Sequence, residues 1–158
     1  MLDLYLNTAV WFRATDGRCM QTLPGQENTG VTLSELMFGN ESDVWIITAQ
    51  NPESSGTFLG KEGEEVMVRL GRELVHNRIY FEPVTCGSPD RLHLEESFAL
   101  QTKNQEEVAV LHEIARKYSQ NAVFRFAGSS QQVVSIMGND FNGEVSYKIV
   151  ESKEEYCG

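Results

Sequence analysis

Between residues 44 and 127 the apolar pattern alternates between strand and helix periods, and that succession limits the folds open to the chain. Val44-Trp45-Ile46-Ile47-Thr48 is β-branched and aromatic throughout, the signature of a strand buried on both faces. A helix is predicted from about Lys61 to His76, with Val66, Leu70 and Leu74 on one face. Arg78 to Val84 and Leu92 to Leu100 read as the strands of a hairpin turned at Cys86-Gly87-Ser88-Pro89-Asp90. Asn104 with Glu107 caps a second helix, which aligns Val108, Leu111, Ile114, Ala115 and Tyr118. Ala122 to Phe126 and Val133 to Met137 then read as two more strands. The order β-α-β-β-α-β predicts an α+β protein with a ferredoxin-like split βαβ core.

The flanks are expected to decorate this core within a single domain, 1–158. Residues 1–43 read as an N-terminal elaboration, 44–137 as the core and 138–158 as a C-terminal extension. In the first, residues 5–14 read as a strand and Thr15-Asp16-Gly17-Arg18 as the turn of an extra hairpin returning through Cys19 to Leu23. Thr32 and Glu35 form a capping box for a short helix ending near Gly39-Asn40. Glu144 to Val150 reads as an edge strand, and the last residues as a frayed end.

Charge and cysteine content narrow the function. Asp and Glu number 23 against 13 Lys and Arg, a formal charge of −10. Such a balance argues against nonspecific nucleic-acid binding by phosphate neutralisation, and no polybasic segment suits a membrane surface. No run approaches the roughly 18 apolar residues of a membrane span, and Asp3 in an N-terminus lacking a basic region is unlike a secretory signal. Cys19, Cys86 and Cys157 are odd in number and far apart, which fits reduced thiols, so the expected location is cytoplasmic.

Three motifs fall short of their chemistry. Gly56-Thr57-Phe58-Leu59-Gly60-Lys61 resembles a phosphate loop, but its glycines are one residue too close and Glu62 replaces the magnesium-binding hydroxyl. His112-Glu113 opens a zinc-protease motif that Arg116 breaks, since a guanidinium cannot ligate zinc. Ser54, Ser55, Ser97, Ser129 and Ser130 lack a nucleophile elbow. Neither a metal nor a cofactor is expected.

Strand order gives a more informative constellation. With neighbouring strands antiparallel, the end of the Val44–Thr48 strand lies beside the beginnings of the strands at Leu92 and Ala122. Thr48, Asn51, Ser54, Lys61, Glu95, Ser97 and Gln120 should therefore approach one end of the sheet. Glu95, Ser97 and Ala99 share one strand face and Phe98 and Leu100 the other. The primary expectation is a domain that binds a small polar or nucleotide-like ligand there. One alternative is an acidic interaction module or inhibitor that steers a basic protein partner. A second is a hydrolase in which Glu95 is the general base and His93 the acid.

At Ile47-Thr48-Ala49-Gln50-Asn51-Pro52, Leu94-Glu95-Glu96-Ser97-Phe98 and Gln120-Asn121-Ala122-Val123-Phe124 the chain resembles the bacterial DUF3293 family, with the likeness running from about Tyr5 to Met137. The resemblance implies a small bacterial or phage-borne domain of no established activity. Thr48, Ala49, Asn51 and Pro52 match the first family motif, Glu95, Ser97 and Phe98 the second, and Gln120 to Phe124 the third. Gln50 and His93 stand where the family motifs carry Trp, and Gly63 and Met67 where it typically carries asparagines.

Overall fold

The structure, a computed structural model, describes residues 2–49, 61–138, 142–153 and 156–157. In chain order these form α1 (Leu2–Leu6), β1 (Ala9–Arg13), β2 (Cys19–Pro24), α2 (Leu33–Phe38), β3 (Val44–Ile47) and α3 (Lys61–His76). They continue through β4 (Phe81–Gly87), β5 (Leu94–Gln101), α4 (Gln105–Lys117), β6 (Ala122–Ala127), β7 (Ser130–Ser135) and β8 (Gly143–Glu151). All eight strands join one antiparallel sheet in the order β1-β2-β8-β7-β6-β3-β5-β4, and β4 returns to β1 to close a barrel.

The ferredoxin-like expectation is therefore wrong. Residues 44–127 do run strand-helix-strand-strand-helix-strand, with β3 between β5 and β6. An open sandwich, however, would leave β4 and β6 as edges, and here both edges are taken up. β1 pairs with β4 through Ala9–Gly87, Val10–Cys86 and Trp11–Thr85, while β7 pairs along β6. β8 lies between β2 and β7 rather than at an edge. Closure joins the two strands that would otherwise be edges through a ladder of three residue pairs. The N-terminal residues also differ from expectation, because Leu2–Leu6 is helical and the strand starts only at Ala9.

Side-chain alternation then divides the core. Val10 and Phe12 of β1, Val44 and Ile46 of β3, Val84 and Cys86 of β4, Ala99 of β5, and Phe124 and Phe126 of β6 face the interior. The opposite faces of β3 and β5 pack against helices: Trp45, Ile47 and Leu100 form an outer cluster with Met67, Leu70 and Leu74 of α3 and Leu111, Ile114 and Ala115 of α4. Burying both faces explains why Val44–Ile47 is apolar without alternation. No described helix is long and apolar enough to cross a membrane.

Two short helices pack onto the barrel. In α2, Thr32 caps the first turn by accepting from the Glu35 amide, Gly39 ends the helix at a φ of 77°, and Leu33 and Met37 enter the interior cluster. Buried Tyr147 of β8 donates its hydroxyl to the Gly128 carbonyl at 2.6 Å and accepts from the Leu33 amide at 3.0 Å, tying the strand to the β6–β7 turn and to α2. Helix α1 lies against β7 and β8, with Leu2, Tyr5 and Leu6 packed on the interior cluster.

The cysteines correct a further expectation. Cys19 and Cys157 form a disulfide across a sequence separation of 138 residues, and Cys86 is a free, buried thiol. The bond holds the C-terminal tail over the outside of β1, where the Tyr156 ring meets buried Trp11 edge-on at 5.9 Å and the Tyr156 carbonyl accepts from Thr85 at 2.6 Å. The argument from reduced thiols to a cytoplasmic location is thereby lost. A cross-link closing so long a loop restricts the unfolded chain, an effect of about 2–5 kcal/mol. Cys157→Ser should lower unfolding free energy by about that amount in urea titrations, and reductant should bring the parent chain to the same value. Equal stability of parent and variant would contradict a structural disulfide.

Candidate functional site

β4 and β5 run in a register that places Val84 opposite Ser97 and Cys86 opposite Glu95. Because Val84, Cys86 and Ala99 belong to the interior cluster, the alternation of β5 turns Ser97 and Glu95 inward as well. Phe98 points the other way, toward α3, where its ring lies 4.6 Å from that of Phe81. A largely apolar interior thus carries a polar row near the end where β1 and β5 begin and β3 and β4 finish. Gly87 keeps the two strands close there, since a Cβ at this position would lie 2.1 Å from the His93 carbonyl oxygen.

The row has unusual electrostatics. Desolvation raises the Glu95 carboxyl to about 7, and no hydrogen bond or ion pair among the described residues offsets it. Glu95 is half-buried as a residue, and burial of its carboxyl is the cause of the shift. The Cys86 thiol is pushed up to about 12 by burial and further by the Glu95 charge, against a lowering hydrogen bond from Ser97. Cys86 is therefore a protonated, unreactive thiol, and Glu95 is the group in this row able to change protons near neutrality.

The remaining predicted residues have varied placements. Thr48 follows the last β3–β5 pair, Ile47–Phe98, which brings it level with Ser97, and its hydroxyl donates to the Glu96 carbonyl at 2.7 Å. Gln120 is buried just before β6 and donates its side-chain amide to the Tyr118 carbonyl at 3.1 Å. His93 sits on the exposed β4–β5 turn, its amide and carbonyl both engaged by Ser88. Lys61 opens α3, but its side chain lies outside the described residues, as do Asn51, Ser54 and the Gly56–Gly60 loop. His112 packs edge-on against Trp45, 5.6 Å between centroids, and burial followed by the Arg116 charge lowers its pKa.

Sequence reasoning missed Cys86, taken for a turn residue, and two buried polar side chains from the flanks. Thr22 of β2 accepts the Val10 amide at 2.9 Å, and Gln131 of β7 donates to the Thr8 carbonyl at 2.9 Å. The alternation Val84-Thr85-Cys86 was a usable sign for the first, whereas the others follow only from closure. A separate groove of about 460 Å³ lies on the helical layer, lined by Val66, Arg69, Arg72, Glu73, Lys117 and Tyr118, with Lys117 paired to Glu73. It includes none of the predicted site residues.

Fold and site together define a closed, eight-stranded antiparallel barrel with helices outside and a desolvated carboxyl inside one end. Residues 47–123 match the family described as "Protein of unknown function (DUF3293)", and the chain resembles that family over this span. The span includes Thr48, Glu95, Ser97 and Gln120. No curated protein and no solved structure matches the chain.

The raised carboxyl sets a dependence of stability on pH. Between the ordinary value of 4.5 and about 7 the folded chain keeps a proton that the unfolded chain releases. The stability this provides is complete below 4.5 and is lost as pH rises through 7. The loss is about 3 kcal/mol at most. Glu95→Gln should remove this slope, so that denaturant titrations find the variant more stable than the parent at pH 8 and similar to it near pH 4.5. Parallel pH profiles would contradict a desolvated Glu95.

Proposed function

We propose that the domain binds a small polar, nucleotide-like ligand at the barrel end that holds Glu95. The observation that carries the reading is the Glu95 carboxyl itself, desolvated and without a hydrogen-bond partner among the described residues. A polar group left in that condition costs stability, and barrels of this strand number have room for packed side chains or one small ligand. Ser97 supplies a hydroxyl on the same strand face, and the largely apolar interior limits where a polar ligand can be satisfied. Specificity would come from pairing with Glu95 rather than from charge alone.

A thermal-shift panel of nucleosides, nucleotides and cyclic dinucleotides tests the proposal. A ligand present at 100 times its dissociation constant stabilises by about 2.7 kcal/mol, or roughly 5–10 °C for a domain of this size. At least one compound should give such a shift, and Glu95→Gln should abolish it. A panel without any shift, or shifts unchanged in the variant, would count against it.

The position of the Glu95 titration near neutrality also favours a hydrolytic reading, with Glu95 as general base toward a bound ester or amide. That reading requires turnover that disappears in Glu95→Gln, whereas binding alone does not.

A further inference from the structure

We infer that the ligand presents two adjacent N–H donors to the barrel interior, as a guanidinium, an amidinium or a guanine-type base edge does. The inference rests on the small-ligand reading above and names the chemistry that reading leaves open. An ionised carboxylate is an acceptor only, with two oxygens placed to receive a pair of parallel donors. Glu95 receives no hydrogen bond from the described residues, and its partner in register, Cys86, offers only a weak thiol donor that is itself bonded to Ser97. Thr48 has already committed its hydroxyl to the Glu96 carbonyl.

A second acceptor makes the same demand independently. Gln131 is 0 % exposed, and its Oε1 has no hydrogen-bond partner. Its orientation is fixed, because Nε2 donates to the Thr8 carbonyl at 2.9 Å and a flipped amide would set oxygen against oxygen. Thr8 directly precedes Ala9, which pairs with Gly87, the neighbour of Cys86 on β4. The amide of β7 thus reaches across to the strand that closes the barrel beside the Glu95–Cys86 pair. Two desolvated acceptors lack donors, while the Thr22 hydroxyl is occupied as acceptor for Val10. A ligand made only of acceptors would leave both unmatched and add repulsion to an already acidic chain.

Among the described residues that face Glu95, Cys86 of β4 is the titratable one; β1 contributes Val10, and no charge from a described residue acts on the carboxyl. Donor binding should accordingly favour the ionised form.

Isothermal titration of the full chain with agmatine, guanosine and glutarate tests the inference: the first carries a guanidinium, the second a neutral guanine edge, the third acceptors alone. Agmatine or guanosine should bind, with affinity rising at least about tenfold from pH 5.5 to pH 8 and falling at least about tenfold in Glu95→Gln. Binding by agmatine alone would assign a cationic ligand, and by guanosine alone a base edge. Failure of both donor probes overturns the inference. If glutarate nevertheless binds in a Glu95-dependent way, the small-ligand reading stands without it; if nothing in the broader panel binds either, both fall. Should Glu95→Gln not fold, the parent chain still decides, because binding at pH 6.5 should release a proton and give a heat that varies with buffer ionisation enthalpy. A heat independent of buffer would overturn the inference.

Discussion

The short ladder between β1 and β4 is the contact on which the rest of the molecule depends. Val10 opposite Cys86 converts a curved sheet with two edges into a barrel with an inside. Without it, Val10 and Phe12 would face solvent on one side of an open sheet, Cys86 would lie on an edge strand, and the face that carries Glu95 on the next strand would be uncovered. With it, β1 is covered on both faces: Val10 and Phe12 lie in the interior, and Ala9 and Trp11 lie beneath the tail held by Cys19–Cys157. Apolar burial on two sides, each at roughly 25 cal/mol per Å² of surface removed from water, compensates for a ladder of only three residue pairs.

Closure also creates the chemistry. A strand at an open edge hydrates its side chains, and a carboxyl on it titrates near its ordinary value. Glu95 sits on a strand flanked by β3 and β4, on the face that closure turns inward, and desolvation raises it to about 7. The same enclosure holds Cys86 protonated and leaves the Gln131 oxygen unmatched. A ligand that supplied hydrogen bonds to these groups would offset the cost of their burial, which links binding to stability in this fold.

Local signals and long-range pairing were unequally readable in the chain. The capping residues Thr32 and Asn104 and the apolar spacing of Leu70, Leu74, Leu111 and Ala115 place α2, α3 and α4 close to where they occur, because caps and helical faces are properties of adjacent residues. β3 is equally clear, since it is apolar on both faces. The partners of the flanking strands are not local, and there the reading failed. β8 alternates exposed Glu144 with partly buried Val145, which resembles an edge strand until both neighbours are known. Tyr5 and Leu6, the end of α1, were read into the following strand because so short an apolar stretch looks alike to either period. Cys19 and Cys157 stand 138 residues apart, a spacing that carries no sign of pairing. That Glu95 and Ser97 share a face with Ala99 was readable from strand parity, but that this face turns inward followed only from closure. Ala9-Val10-Trp11-Phe12, apolar at every position, was the strongest overlooked sign that β1 is an internal strand.

The most direct measurement of this account is the pH titration of the Glu95 side-chain carboxyl carbon by NMR, assigned by comparison with Glu95→Gln. Enclosure within a closed barrel predicts a midpoint near 7. A midpoint near the ordinary 4.5 would show a hydrated carboxyl and contradict the desolvated interior from which the site is argued.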